Sequence, residues 1–292
     1  MAGLGEMRHV AFLGQGASNG VYRVETEKGI FVIKVTKPSA PRRLGVANSF
    51  LALANRRVGP GVVLFDDTGR IHPQDFLIEE YVPGIHLHRL DAKAASELGT
   101  ALARLHSLPI GPFCGTLDQP TWRTYVQDRI TALLEHSRAA TPEPLHGEIR
   151  TMVALVVKQG ERLNNRLEAR RHCVVHTDVI PLNVIATSDR GMVLIDWEWV
   201  RIDVPEWDLA SALKAFPMEP DALAAFWEAY GMGNHPEILE FVSILNYLHI
   251  VAWRTCAFYA DGEYRDVADK FLADLEVEMD WLRSHLSLPI SG

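Results

Sequence analysis

Residues 175–183 read Val175-His176-Thr177-Asp178-Val179-Ile180-Pro181-Leu182-Asn183, and this stretch decides how the rest of the chain is read. A helical segment precedes it. A short β-rich run, Asn183 to Ala186, follows, and another, Val193 to Ile195, ends in Asp196. The pattern predicts a hairpin-like loop that brings together one carboxylate (Asp178), one amide (Asn183) and a second carboxylate (Asp196). Any one of these fits a polar turn between core strands. All of them at this spacing, with His176 just ahead, ask for a chemical reason. A carboxylate can orient a hydroxyl and take its proton. An amide oxygen and a carboxylate together suit a hard divalent cation such as Mg2+.

Working toward the N-terminus, Leu13-Gly14-Gln15-Gly16-Ala17-Ser18-Asn19-Gly20 is a glycine-rich loop. It leads into the strand-like Val21-Tyr22-Arg23-Val24, not into a helix, so it is no dinucleotide fingerprint. It lacks the Gly-Lys-Ser/Thr of a Walker loop. Between antiparallel strands, its backbone N–H groups can lie over phosphates, and Ser18 and Asn19 add side-chain donors. One hairpin later comes Phe31-Val32-Ile33-Lys34-Val35. A lone strand lysine is usually just exposed. After a glycine loop, Lys34 becomes a candidate phosphate clamp. Glycine loop, lysine, Asp178, Asn183 and Asp196 are together the groups that phosphoryl transfer requires.

The surrounding pattern predicts strands at Val10–Leu13, Val21–Thr26, Ile30–Val35, Val62–Phe65 and Phe76–Val82, with a helix over 44–57. Gly59-Pro60-Gly61 stops that helix. Beyond Pro83-Gly84 the chain reads as helical, over about 91–108, 121–136, 147–170, 205–216, 220–230, 236–260 and 264–285. The 48% of apolar residues is enough for a substantial core and excludes general disorder. The net charge of −8 argues against a nucleic-acid partner. That charge is uneven: residues 201–292 carry 16 acids against 6 bases, and residues 1–200 carry 21 against 23. Solvated helix faces explain most such biases. A field that attracts a cationic ligand is the alternative. Cys114, Cys173 and Cys256 have neither disulfide-framework nor zinc spacing. Met1–Val10 lacks a long apolar run, and Phe241–Trp253 is too short to span a bilayer, so a core helix is expected there. The expectation is a cytoplasmic protein without a membrane partner.

These motifs resemble the protein-kinase-like superfamily, which shares the pattern His-x-Asp-x-x-x-x-Asn, and within it the aminoglycoside phosphotransferase and choline kinase branch. Ile195-Asp196-Trp197-Glu198-Trp199 resembles that branch's Ile-Asp-Trp/Phe-Glu motif. Leu77-Ile78-Glu79-Glu80-Tyr81-Val82-Pro83-Gly84 is similar to its nucleotide hinge. Leu98 to Leu108 looks like its first C-lobe helix, and Glu206-Trp207-Asp208-Leu209-Ala210 like the helix start whose Asp braces the catalytic loop. The matches span about two-thirds of the chain. The resemblance implies an α+β, two-lobed fold: an N-lobe over 1–82, with a small antiparallel sheet and the glycine-rich loop, and a larger, mainly helical C-lobe over 83–292. It implies Asp178 as catalytic base with His176 supporting its loop. Asn183 and Asp196 would ligate Mg2+. Gly14, Gly16, Ser18, Asn19 and Lys34 would hold the phosphates of ATP or GTP, and the backbone of Glu80 and Val82 the base.

The implied reaction transfers a γ-phosphoryl group to a hydroxyl of a small, cationic acceptor. An aminoglycoside-like or basic peptide antibiotic comes first, which would make this a resistance enzyme. Choline, ethanolamine, thiamine or an amino-sugar is the alternative, and a weakly active nucleotide-binding module is a second. Glu198, Trp199, Asp203, Glu206, Glu228 and Asp261 are candidate acceptor-binding residues, with Glu237 and Glu263 further acids of the same region. Trp197, Trp199 and Trp207 are candidate pocket walls. Two positions depart from the family pattern. The branch expects a glutamate on the helix after the strand lysine, yet no Asp or Glu lies between Val35 and Phe65. Asn48, Ser49 or a direct contact of Lys34 with Asp196 would have to serve. Thr177 stands where the branch often has glycine, and a β-branched residue is tolerated there if φ is negative.

Overall fold

The computed structural model describes residues 3–15, 18–38, 40, 42–111, 121–231, 233 and 235–286. Cys114 and Gly16 lie outside them. The N-terminal sheet is antiparallel, in the order β1-β2-β3-β5-β4, from β1 (Met7–Gln15), β2 (Asn19–Thr26), β3 (Gly29–Thr36), β4 (Val62–Asp66) and β5 (Phe76–Glu80). Its register follows from the turns: Glu27-Lys28 closes the β2–β3 hairpin, which sets Val21 opposite Lys34. Helix α1 (Leu44–Ala54) crosses between β3 and β4 and buries Leu44, Ala47, Phe50, Leu51 and Ala54. It ends three residues earlier than the sequence pattern suggests. Asn55 and Arg56 both turn left-handed, and the Asn55 N–H caps the carbonyl of Leu51 at 3.0 Å.

Two compact units make up the chain. The first comprises residues 1–117 and 173–233. It holds the sheet and α1, then β6 (Ile85–His86), α2 (Ala92–His106), β7 (Cys173–Val175), β8 (Val184–Thr187), β9 (Gly191–Leu194), β10 (Arg201–Asp203), α6 (Glu206–Ala215) and α7 (Pro220–Tyr230). The expected lobe boundary at residue 82 falls inside this unit. Strands β6, β8 and β9 form one small sheet, and β7 pairs with β10 in another. The second unit, residues 118–172 and 234–292, is all helical among its described residues: α3 (Trp122–Tyr125), α4 (Ala132–Ser137), α5 (Glu143–Ala169), α8 (Pro236–Thr255) and α9 (Ala268–His285). One-turn π-helices at Val126–Thr131 and Cys256–Ala260 interrupt α3–α4 and extend α8. Residues 236–260 are long and apolar enough to span a membrane, but Phe241, Ile244, Leu245, Leu248 and Val251 are fully buried, as expected of a core helix.

In the first unit α2 and α7 lie almost in backbone contact. Asp91 caps α2, its Oδ1 accepting from the Ala94 N–H at 2.8 Å. Leu98, Leu102 and Leu105 are buried along one stripe. Gly99 allows the close approach: a Cβ there would sit 2.4 Å from the carbonyl oxygen of Phe226. Backbone on a packed helix cannot swing aside as a side chain can. Gly99→Ala is therefore expected to destabilise by about 1–3 kcal/mol despite alanine's better helix propensity, lowering the melting temperature. A thermal melt at or above the parent's would refute this.

Candidate active site

The loop after β7 turns sharply, because Thr177 is left-handed at φ 71°. The negative φ under which a β-branched residue is easily tolerated there is not met. Its strain is of order 1–3 kcal/mol and is held in place from outside. The Thr177 N–H donates to Asp208 Oδ1 at 2.6 Å, and its Oγ1 donates to the carbonyl of Trp199 at 3.1 Å. Asp208, at the start of α6, is completely buried and also accepts from the His176 N–H at 2.8 Å. His106, the last residue of α2, completes this hub: its Nε2 donates to Asp208 Oδ2 at 3.0 Å, and Tyr230 Oη on α7 lies 2.9 Å from Nδ1. Burial works against the Asp208 charge, yet the bonds from His106 and the positive neighbours hold its carboxyl below the ordinary value. His106 and Tyr230 are absent from the sequence-predicted site. Their signal is only a polar side chain ending each of two apolar helices.

His176 packs edge-on against Trp197, and its Nε2 donates to the carbonyl of Ile195 at 2.9 Å. This ties the Asp178 loop to the Asp196 turn. Asp178 and Asn183 meet directly: Asn183 Nδ2 donates to Asp178 Oδ2 at 2.7 Å and to its carbonyl at 3.1 Å. Both amide protons face Asp178, which leaves the amide oxygen as an acceptor. The Ile195 N–H donates to the carbonyl of Asn183 at 2.9 Å, so Asp196 follows immediately, left-handed at φ 65°. Asn183 and Asp196 thus supply two oxygen donors of the kind Mg2+ selects, and the residues fit that ion. Burial raises the Asp178 pKa, His176 opposes that, and Asp196 and Asp208 add to it.

Lys34 is buried, and its Nζ lies 3.3 Å from Asp196 Oδ1 and 3.7 Å from Glu79 Oε2. Burial alone would depress its pKa, but Glu79 first, then Asp196 and Glu198, hold it above the usual lysine value. The contact with Asp196 is one of the substitutes expected for the missing helix acid; Glu79 was not foreseen. Ser49 is not a substitute, since its hydroxyl donates to the carbonyl of Gly45 on its own helix. In the glycine loop Ser18 and Asn19 are buried, and Asn19 Nδ2 hydrogen-bonds Glu198 Oε1. Two residues assigned separate tasks, one to nucleotide and one to acceptor, are therefore partners. Burial and neighbouring Asp196 push the Glu198 pKa up to about 7. At the hinge the Glu80 N–H is spent on the carbonyl of Gly61 at 2.8 Å, and its side chain pairs with Arg56. Val82 is buried just beyond the end of β5.

The other acceptor candidates are dispersed. Trp199 carries the Arg43 guanidinium 3.9 Å over its ring, so that face is occupied. Trp197 and Trp207 are buried, and Arg201 lies over the Trp207 ring. Asp203 pairs with Arg201 at 2.9 Å and Glu206 is fully buried, while Glu228 is exposed. In the second unit Asp261 accepts from the Cys256 thiol at 3.5 Å and faces His136 Nε2 at 3.2 Å. There too, Glu237 pairs with Arg166 and Glu263 is exposed.

Such a fold, with a carboxylate–amide–carboxylate loop beneath a sheet-borne lysine, defines a protein-kinase-like phosphotransferase. The chain belongs to the phosphotransferase enzyme family, whose model matches residues 9–241. Among curated proteins it is similar to a homoserine kinase from Beijerinckia indica, 24% identical over 222 residues, 72% of this chain and 64% of the relative. A homoserine kinase from Acidiphilium cryptum is 28% identical over 232 residues, 73% of this chain and 67% of the relative. The match thus spans about two-thirds of those relatives' lengths. Among solved structures, a spectinomycin phosphotransferase in complex with ADP and spectinomycin superposes with a TM-score of 0.69 at 14% identity, covering 94% of this chain and 93% of that one. A choline kinase from Streptococcus pneumoniae gives 0.68 at 17% identity, covering 96% and 94%. At these identities the structures bear on the fold alone, and the two-lobed kinase-like architecture is that fold.

Proposed function

We propose that the protein transfers the γ-phosphoryl group of ATP or GTP, with Mg2+, to a hydroxyl of a small amine-bearing acceptor. The observation that carries this reading is the direct bond between Asn183 and Asp178 beside an Asp196 that is paired with a buried lysine. Asp178 orients the acceptor hydroxyl and takes its proton as the oxygen bonds to the γ-phosphorus. The bond from that phosphorus to the bridging β-oxygen breaks, and the nucleoside diphosphate leaves. Lys34 lies against the phosphates, Val82 and the Glu80 carbonyl face the base, and Ser18 and Asn19 close over the phosphates once Asn19 releases Glu198. Asn183 and Asp196 would hold Mg2+, which would neutralise phosphate charge.

For the acceptor, the curated relatives favour an amino acid with a side-chain hydroxyl, homoserine first. The kinase-like neighbours keep choline, ethanolamine and an aminoglycoside-like antibiotic in the same panel, and a cytoplasmic location suits all of them. Glu198, Asp203, Glu206, Glu228, Asp261 and Trp199 remain the acceptor-binding proposals; support is strongest for Glu198, which adjoins Asp196. The test is mass spectrometry of each acceptor after incubation with Mg2+ and ATP or GTP. A gain of one phosphoryl group on homoserine is the expected result. Transfer to the antibiotics alone replaces the acceptor but keeps the reaction. Nucleotide binding with no transfer to any member favours the weakly active binding module.

A further inference from the structure

We infer that Glu79, a sheet residue, replaces the missing helix acid as the permanent counter-ion that positions Lys34 for the nucleotide phosphates. This rests on the phosphotransferase reading above.

Strand register sets the pair. Lys34 lies opposite Leu77 and Val32 lies opposite Glu79 in the antiparallel β3–β5 ladder. Opposite residues share a face, and so do residues two apart on one strand. Lys34 and Glu79 are therefore diagonal neighbours on one face of the sheet, within reach of long side chains. The structure places Nζ and Oε2 3.7 Å apart, with both side chains buried, at 7% and 4% exposure. The helix that should carry the acid has none: α1 reads Leu44-Gly45-Val46-Ala47-Asn48-Ser49-Phe50-Leu51-Ala52-Leu53-Ala54.

Asp196 cannot do this work alone. Its side chain is 42% exposed, and its oxygens are the ones a metal ion would take. Once a cation draws on Asp196, the buried ammonium needs a second anion that is not itself a ligand. Glu79 fits that need. Burial pushes its pKa up, and Lys34 opposes that shift. Its other oxygen, Oε1, is buried with no hydrogen-bond partner, so the carboxylate has acceptor capacity to spare as the ammonium shifts. A partner on a helix can move away with the helix. A partner on β5 cannot leave β3 without breaking the ladder between them. Lys34 is thus held in place whatever α1 does, and its partner Glu79 lies within the hinge segment, one residue before Glu80.

The experiment titrates the full chain with Mg-ATP and, separately, with adenosine, by calorimetry. Parent, Glu79→Gln, Glu79→Asp, Lys34→Met and the Lys34→Met/Glu79→Gln double variant are compared. Glu79→Gln is expected to weaken ATP about tenfold, the scale of one charge-assisted contact, and to change adenosine less than about twofold. Glu79→Asp recovers part of the loss. In the Lys34→Met background Glu79→Gln adds nothing, because the two residues act as one unit. A mere repulsive charge near the phosphates would give the opposite sign, with tighter ATP in Glu79→Gln, and would overturn the inference. Equal loss of ATP and adenosine would overturn it too, as would additive losses. Should Glu79→Gln not fold, Glu79→Asp and the double variant, which leaves no buried charge unpaired, carry the same comparison. If the parent itself binds no nucleotide, it is the phosphotransferase reading that falls.

Discussion

An Asp178→Asn variant is expected to bind ATP as the parent does and to transfer phosphoryl groups about 10²–10⁴-fold more slowly, the usual worth of a positioned general base. The substitution is close to isosteric. The introduced amide oxygen can still accept from Asn183 Nδ2, which in the parent lies 2.7 Å from Asp178 Oδ2, so the loop keeps its shape. What is lost is the group that takes the proton. Burial, reinforced by Asp196 and Asp208, raises the parent's Asp178 pKa, which brings its proton affinity closer to that required at neutral pH. The change should therefore appear in kcat and leave the nucleotide dissociation constant within about threefold. Steady-state assays on whichever acceptor the mass-spectrometric panel identifies, run beside nucleotide titrations, separate the two quantities. Unchanged turnover would remove Asp178 from the chemistry and the proposed mechanism with it.

The parts of this site that were legible in the sequence are those whose geometry is set locally. The span from His176 to Asn183 fits in one loop because its residues are neighbours, and the hairpin to Asp196 is short. The β2–β3 hairpin that carries Lys34 announces itself through alternation and the Glu27-Lys28-Gly29 turn. What escaped was placed by long-range packing. Glu79 sat in view inside a hinge motif, and the β3–β5 register assigns it to Lys34, but that register requires knowing that β5, not β4, lies beside β3. Read as a strand pair in that order, Phe76 to Glu80 would have yielded it. His106 and Tyr230 are more distant in sequence, and only the α2–α7 contact at Gly99 explains why both reach Asp208 or its partner. Thr177 illustrates the converse. A local rule, that β-branched residues avoid positive φ, was overridden by the two hydrogen bonds that hold the turn. The one-turn π-helices have no sequence signal, since they arise where a helix absorbs an extra residue to keep its contacts.

The larger structural effect is expected at Asp208. Asp208→Asn should destabilise the fold by about 3–5 kcal/mol, the cost of breaking a buried charged network, out of a typical total of about 5–15 kcal/mol. The parent carboxylate accepts from three donors: the N–H groups of His176 and Thr177 and the Nε2–H of His106. An asparagine has one oxygen for those three and turns an NH2 group toward the remainder. At least one buried N–H would be left without an acceptor. With the oxygen kept at the Oδ2 position, where two donors meet, it is the Thr177 N–H, and the left-handed turn would lose one of the two bonds that hold it. His106→Gln should cost less, because both backbone donors keep their carboxylate. The pH dependence has a definite sign. Because the folded-state pKa of Asp208 is depressed, its contribution is present above about 3.9, the unfolded value, and is lost as pH falls through the folded value. Denaturant unfolding of the parent should therefore weaken toward acid more steeply than that of Asp208→Asn, and the two curves should converge at low pH. An Asp208→Asn variant within about 1 kcal/mol of the parent at neutral pH, or one with the parent's acid slope, would show that the turn holding Asp178 is braced elsewhere. Because the same turn sets Asp178, a folded remnant of Asp208→Asn should also lose turnover while His106→Gln keeps most of it, which ties the stability of this hub to the geometry of the base.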